Sequence, residues 1–265
     1  MELSEEQIIR YSRNIVIREM GGVGQQKLLK SKVLVVGAGG LGSPVLSYLA
    51  AAGTGKIGII DSDSVHASNL NRQVVHSLNS INTPKVESAR KFINLLNPDV
   101  NVEIHHTRLT IDNVLELIAP YDYIVDCMDT LPLKFLLNDA CIELKKPFFH
   151  AGIVAFYGQI LSVNPGKSAC LRCLFPEMPD SEFGPTCAEA GILGACAGIM
   201  GSLQACEVIK SVLGLEVLFN RLLVFEGIST TFKEIKLEKN PACPVCSTGQ
   251  MLPAIHYEIT RHFCD

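Results

Sequence analysis

The chain has 265 residues, 48% of them hydrophobic and 19% charged, enough for one sizeable α/β domain with a large buried core. A formal net charge of -4 and a pI near 6.0 exclude an electrostatic case for nucleic-acid binding, which needs a clustered excess of Lys and Arg. The opening MELSEEQIIR puts Glu2, Glu5 and Glu6 where a secretory leader carries positive charge and then an apolar run, so the expected location is the cytoplasm. Ten cysteines in that reducing compartment are expected to be metal ligands, reactive thiols or core residues, not disulfides.

Over residues 4–30, Ile8, Ile9, Ile15, Val16, Leu28 and Leu29 sit among polar residues, a pattern that predicts two short amphipathic helices broken at Gly21-Gly22. Residues 32–36 read as a strand buried on both faces, followed by glycines and a helix over 43–52. The alternation continues with strands at 56–61, 100–106, 121–127 and 147–154, and helices at 84–96, 112–118 and 133–144. It predicts a doubly wound, mostly parallel Rossmann-like sheet. Antiparallel C-terminal strands then follow: 156–163 pairs with its predecessor, 166–190 is loop-like, and a small-residue helix leads to strands at 221–226 and 231–237. The apolar run 190–206 contains Ser202 and Gln204 and falls short of the roughly 20 residues a membrane span needs. It reads as a buried helix whose small residues suit close packing, including packing at a dimer interface. One domain is expected, with N-terminal helices at 1–31, a nucleotide-binding core at 32–165, a crossover loop, long helix and final strands at 166–246, and a patternless, loosely packed tail at 247–265.

Gly37-Ala38-Gly39-Gly40-Leu41-Gly42 matches the glycine pattern that turns tightly, lets backbone approach a phosphate and opens a helix whose N-terminal amides face an anion. Asp61 lies roughly 20 residues on, where a carboxylate accepts from ribose hydroxyls. The nucleotide is expected to be ATP. Arg72 and Lys85 follow the second strand, and a triphosphate needs such extra cations where NAD does not. Asp129, just past the fourth strand, is placed to hold Mg²⁺ or to cap the next helix, and Asp126 reads as structural.

The combination GxGGxG, DxDxVxxSNLNRQ over 61–73, the following lysine and Asp126-Cys127-Met128-Asp129-Thr130 resembles the ThiF/MoeB/HesA group of adenylyltransferases, relatives of ubiquitin-activating enzymes. The match runs from Arg10 to about Cys246. The resemblance implies that Asp61 holds the ribose, that Asn69, Arg72 and Lys85 hold the phosphates with Gln73 nearby, and that Asp129 holds magnesium. It also implies that Arg13 reaches into the ATP site of a second subunit, hence a homodimer. Thr130 departs from the family, many of whose members have Asn there. The implied reaction is adenylation of the C-terminal glycine carboxylate of a ubiquitin-like sulfur-carrier protein, MoaD- or ThiS-like, before thiocarboxylate formation for molybdopterin or thiamine. No rhodanese segment follows, so a separate protein is expected to donate the sulfur. The alternatives are an NAD-dependent oxidoreductase, a nucleotide-free scaffold that binds a partner's C-terminal tail, and a tRNA-modifying dehydratase of the same superfamily, whose members generally lack the cysteine pairs described next.

Cys170-x-x-Cys173 and Cys243-x-x-Cys246 supply the four thiolates of a closed tetrahedral Zn²⁺ site that staples the post-sheet loop to the C-terminal end. Cys187 precedes the long helix, whose N-terminus would lower a thiol pKa. The resemblance puts it at a cysteine that some members use for a covalent link to the carrier, while the other reading is an incidental helix-start residue. Cys127, Cys141, Cys196 and Cys206 read as core, and the seven histidines receive no role.

Overall fold

A computed structural model describes residues 3–177 and 190–257. The continuous apolar runs become the central strands of an eight-stranded sheet. Its strands are β1 (Lys32–Val36), β2 (Lys56–Ile60), β3 (Asn101–His105), β4 (Tyr123–Asp126), β5 (Phe148–Val154), β6 (Tyr157–Val163), β7 (Arg221–Glu226) and β8 (Thr231–Lys236). Their order is β3-β2-β1-β4-β5-β6-β7-β8. β1 to β5 pair in parallel and β5 to β8 antiparallel. Val36 stands opposite both Ile60 and Asp126, so the loops leaving β1, β2 and β4 emerge level with one another. The chain leaves β1 toward β2 and β3, then returns to β4 on the other side. That reversal opens a crevice at the carboxyl ends of β1 and β4, where open α/β sheets take their ligands.

Both faces of the sheet are covered. Val33 and Val35 pack with α4 (Gly42–Ala52), α5 (Lys85–Leu96) and the long helix α9 (Gly194–Leu213), through Leu46, Leu49, Ile93 and Met200. Leu34 and Val36 face α6 (Val114–Ile118) and α7 (Leu131–Glu143), through Ile118, Phe135 and Leu136. Two-sided burial is why β1 carries no alternation of polar and apolar residues.

Several elements differ from the expectation. The N-terminal region forms three helices, α1 (Glu5–Arg10), α2 (Ser12–Ile15) and α3 (Gly21–Lys30). The Gly21-Gly22 pair starts α3, and the break within the first helix falls at Tyr11, which is buried and bonded to Asp99 and Asn97. The loop over 166–190 contains a short helix, α8 (Leu171–Leu174). The close packing expected of the small residues of α9 is present within the chain: a Cβ on Gly194 would lie 2.4 Å from the Asn71 carbonyl oxygen, and one on Gly201 2.5 Å from that of Leu41. At 20 residues α9 is long and apolar enough to cross a membrane, yet it is a core helix. Gln204 donates to the carbonyls of Asp126 and Phe149, and Glu207 accepts from the Leu218 amide. Finally, the tail is anchored at Met251, Leu252 and Tyr257, whose buried hydroxyl donates to Asp139, while residues 247–250, 253 and 254 are exposed, and Cys206 is exposed, not core.

Candidate active site and metal centre

The loop after β1 can be built only with glycine at two positions. Gly37 has φ 100°, and a Cβ there would lie 2.6 Å from the Cys127 carbonyl oxygen and 3.3 Å from the Met128 nitrogen, so the loop rests against the turn after β4. A Cβ on Gly42 would sit 2.0 Å from the Gly37 carbonyl oxygen. Between them, Ala38 is held on both sides: its amide donates to Asp61 Oδ2 at 2.8 Å, and its carbonyl accepts from His76 Nε2 at 3.0 Å. Asp61 Oδ1 accepts from the Asp63 amide. α4 begins at Gly42 without a side-chain cap, which leaves its N-terminal end suited to an anion.

The segment after β2 folds over this loop. Asn69 Oδ1 accepts from the His66 amide, and the Asn69 carbonyl accepts from the amides of Arg72 and Gln73. The resulting turn brings Gln73 Nε2 within 3.6 Å of the Cβ position of Gly39, and Arg72 Cδ within 3.7 Å of that of Gly40. Gln73 is buried and its Oε1 has no protein partner, which fits a site that receives a polar ligand. Arg72 donates to the Ser68 carbonyl and to Asn71 Oδ1. Lys85, in the first turn of α5, is buried and pairs with exposed Asp63 at 2.7 Å. Burial raises the Asp61 pKa, against the opposing charge of Lys85 and the two amide bonds.

On the turn after β4, Asp129 is exposed and makes no hydrogen bond or ion pair among the described residues. Thr130, not Asp129, takes the N-cap position of α7. Asp126 is fully buried, accepting from the Met128 amide, from Lys134 Nζ at both oxygens, and from His150 Nδ1 at 2.7 Å. Burial works to raise its pKa, but the Lys134 charge and the His150 bond more than reverse this.

One end of the sheet thus gathers Gly37, Gly39, Gly40, Gly42, Asp61, Asn69, Arg72, Gln73 and Lys85, with the Asp129 turn abutting Gly37. Arg13 lies exposed on α2 and makes no bond to any of them. Cys187 is outside the described residues. Sequence reasoning missed His76, Asp63 and the two partners of Asp126, Lys134 and His150. A lone histidine three residues past Gln73 carries no spacing signal, and Lys134 sits in a helix where a lysine ordinarily marks a solvated face.

Cys170, Cys173, Cys243 and Cys246 converge from α8 and the segment after β8, all four sulfurs within 4.8 Å of one another. Sγ separations are 3.9 Å for Cys170–Cys173, 3.7 Å for Cys170–Cys243 and 3.4 Å for Cys173–Cys246. A tetrahedral ion with Zn–S bonds of about 2.3 Å places its sulfurs about 3.8 Å apart, so the quartet fits Zn²⁺. Amides of Asn240 and Cys246 point at Cys173 and Cys243, as donors that moderate thiolate charge around a metal do.

A doubly wound α/β domain with a glycine loop and an uncapped helix N-terminus at its switch point and a closed four-thiol centre is the class these features define. Residues 11–245 match the ThiF family, and the chain belongs to it. It is 44% identical to the adenylyltransferase and sulfurtransferase MOCS3 of Anopheles gambiae, over 99% of this chain but only 60% of that protein's length. It is 45% identical to the SAMP-activating enzyme E1 of Haloferax volcanii, over 94% of this chain and 92% of the relative. It is also 40% identical to the sulfur carrier protein adenylyltransferase of Thermus thermophilus, over 93% of each. Its fold is similar to E. coli MccB, crystallised with MccA-N7isoASN, with TM-score 0.81 and 22% identity over 92% of this chain and 75% of that one.

Proposed function

We propose that this protein uses ATP and Mg²⁺ to adenylate the C-terminal glycine carboxylate of a ubiquitin-like sulfur-carrier protein. The observation that carries the reading is that Arg72 and Gln73 lie against the glycine loop while Lys85 pairs with Asp63 and acts by charge on Asp61, the residue that holds the Ala38 amide, in a chain related along nearly its full length to a sulfur carrier protein adenylyltransferase. Two cations and a helix N-terminus answer the concentrated charge of a triphosphate. In this reading the phosphates lie along residues 37–42 and are held by Asn69, Arg72 and Lys85 with Gln73 beside them. Asp61 takes the ribose through lone pairs that Ala38 and Asp63 leave free. Asp129 would hold Mg²⁺, which supplies neutralisation of the phosphate oxygens.

A C-terminal carboxylate, with a pKa of roughly 3.3 to 3.7, is ionised at neutral pH, so no general base is required. Its oxygen attacks the α-phosphorus, the bond to the bridging α–β oxygen breaks, pyrophosphate leaves and an acyl-adenylate remains. The protein's work is to align two anions and screen their repulsion. The same reading makes the enzyme a cytoplasmic homodimer in which Arg13 enters the partner's site. It gives the zinc centre a structural role, and draws sulfur from a separate donor, with Cys187 available for a covalent link to the carrier. The pathway served is molybdopterin or thiamine formation. Incubation with ATP, Mg²⁺ and a MoaD- or ThiS-like carrier is expected to yield an acyl-adenylate by mass spectrometry. Its absence with both carriers, together with thermal protection by NAD but not ATP, would overturn the reading.

A further inference from the structure

His76 stands where three parts of the site meet. Its Nε2 reaches the Ala38 carbonyl of the glycine loop at 3.0 Å, and its Nδ1 lies 2.9 Å from Ser88 Oγ. A carbonyl oxygen only accepts, so Nε2 carries the proton and Nδ1 accepts from the Ser88 hydroxyl. Ser88 is one turn beyond Lys85 on α5. The His76 amide donates to the Gln73 carbonyl, which ties the ring to the turn that carries Arg72 and Gln73. Of those three side chains, only His76 hydrogen-bonds the loop backbone. Arg72 and Gln73 lie beside Gly40 and Gly39 at van der Waals range. The ring and its Ser88 partner are both buried, which strengthens both bonds relative to exposed ones.

We propose that His76 is a positioning residue for the nucleotide phosphates: one neutral imidazole fixes the spacing between the glycine loop, the Arg72–Gln73 turn and the helix that begins with Lys85. The loop's amides and two phosphate-binding cations come from separate stretches of chain. Phosphate recognition tolerates little relative movement among them, because misplacement by about 1 Å weakens a preorganised site severely. Asp61 fixes the amide side of Ala38, and His76 fixes the carbonyl side.

This inference rests on the ATP reading above, and its test separates the two. ATP·Mg²⁺ affinity is measured by calorimetry on the intact protein, and thermal midpoints are measured without nucleotide, for wild type, His76→Gln, His76→Met and His76→Asn. Gln keeps a donor at about the reach of Nε2, Met keeps the length without a donor, and Asn keeps the donor but falls short of Ala38. Met and Asn are expected to weaken ATP binding tenfold or more, while Gln stays within threefold of wild type although its midpoint falls alongside theirs. A role confined to packing would move the midpoints and leave the three affinities together, and that result overturns the inference. The Asn variant alone decides the matter against Gln if Met does not fold. Wild-type protein that binds no ATP defeats the functional reading instead.

Discussion

Arg172 Nε donates to Asp139 Oδ2 at 2.7 Å with both side chains buried, joining the metal knuckle to the middle of α7. The guanidinium also lies 4.9 Å from the Phe135 ring centroid and 5.7 Å from that of Tyr257, and Asp139 accepts further from Tyr257 and Asn138. Removing one partner leaves the other as an uncompensated buried charge, which costs about 3–5 kcal/mol. Arg172→Met and Asp139→Asn are therefore expected to lose that much stability in urea titrations, and the double variant less than the sum of the two. A loss below about 1 kcal/mol for both would mean that the pair contributes no more than a surface ion pair does.

Two histidines give stability a pH dependence with a definite sign. Burial is the leading cause that lowers the pKa of His76 and of His150 below the ordinary 6.5, against the Ala38 bond on one and the Asp126 bond on the other. The unfolded chain takes up protons on both near pH 6.5 and the folded chain does not. Their contribution is thus present above 6.5 and is lost as pH falls toward the folded values. The slope approaches about 1.4 kcal/mol per pH unit for each histidine. Denaturant unfolding at several pH values between about 5.5 and 7.5 checks it. His150→Gln should flatten the curve, and an unchanged slope contradicts the assignment.

The four-sulfur centre predicts one zinc per chain by elemental analysis of purified protein. Cys243→Ser should empty the site and lower the thermal midpoint by at least about 5 °C, given roughly 2–4 °C per kcal/mol for a domain of this size. Strong chelators should lower the midpoint of the wild type and leave the variant untouched. Zinc-free protein indifferent to chelation would refute the centre.

The two aspartates after β4 should fail differently. Asp129 is exposed and unpartnered, so Asp129→Ala is expected to fold normally while ATP–pyrophosphate exchange in the presence of carrier falls at least about a hundredfold, the scale for one preorganised electrostatic group. Asp126→Ala leaves Lys134 buried without its carboxylate and should lose stability first. Near-normal exchange by Asp129→Ala removes that residue from the chemistry.

What could be read from the residues was whatever local pattern determines. Unbroken apolar runs marked β1, β2 and β4, the GxGxxG spacing between a strand and a helix marked the loop, and paired CxxC spacing marked the metal knuckle. What could not be read depends on neighbours distant in sequence. Lys134, Asn138 and Asp139 are polar residues of α7 that ordinarily mark a solvated face, yet all three are buried, because Asp126, Arg172 and the Leu171 amide supply their partners. Tyr11 breaks the first helix because Asn97 and Asp99 draw it inward, and Tyr257 orders the tail because Asp139 lies beneath it. The histidines escaped notice for the same reason: their bonds are to a backbone carbonyl and a carboxylate that only folding brings near.

The Lys85–Asp63 pair is asymmetric, the lysine side chain being 8% exposed and the aspartate 62%. The fold holds the buried lysine side chain in position, while its carboxylate companion is exposed to solvent. Under the proposed reading an arriving phosphate would therefore act as a replacement counter-ion. It would exchange with Asp63 at a cation the fold already holds in position, and resting Lys85 would keep a counter-ion between turnovers.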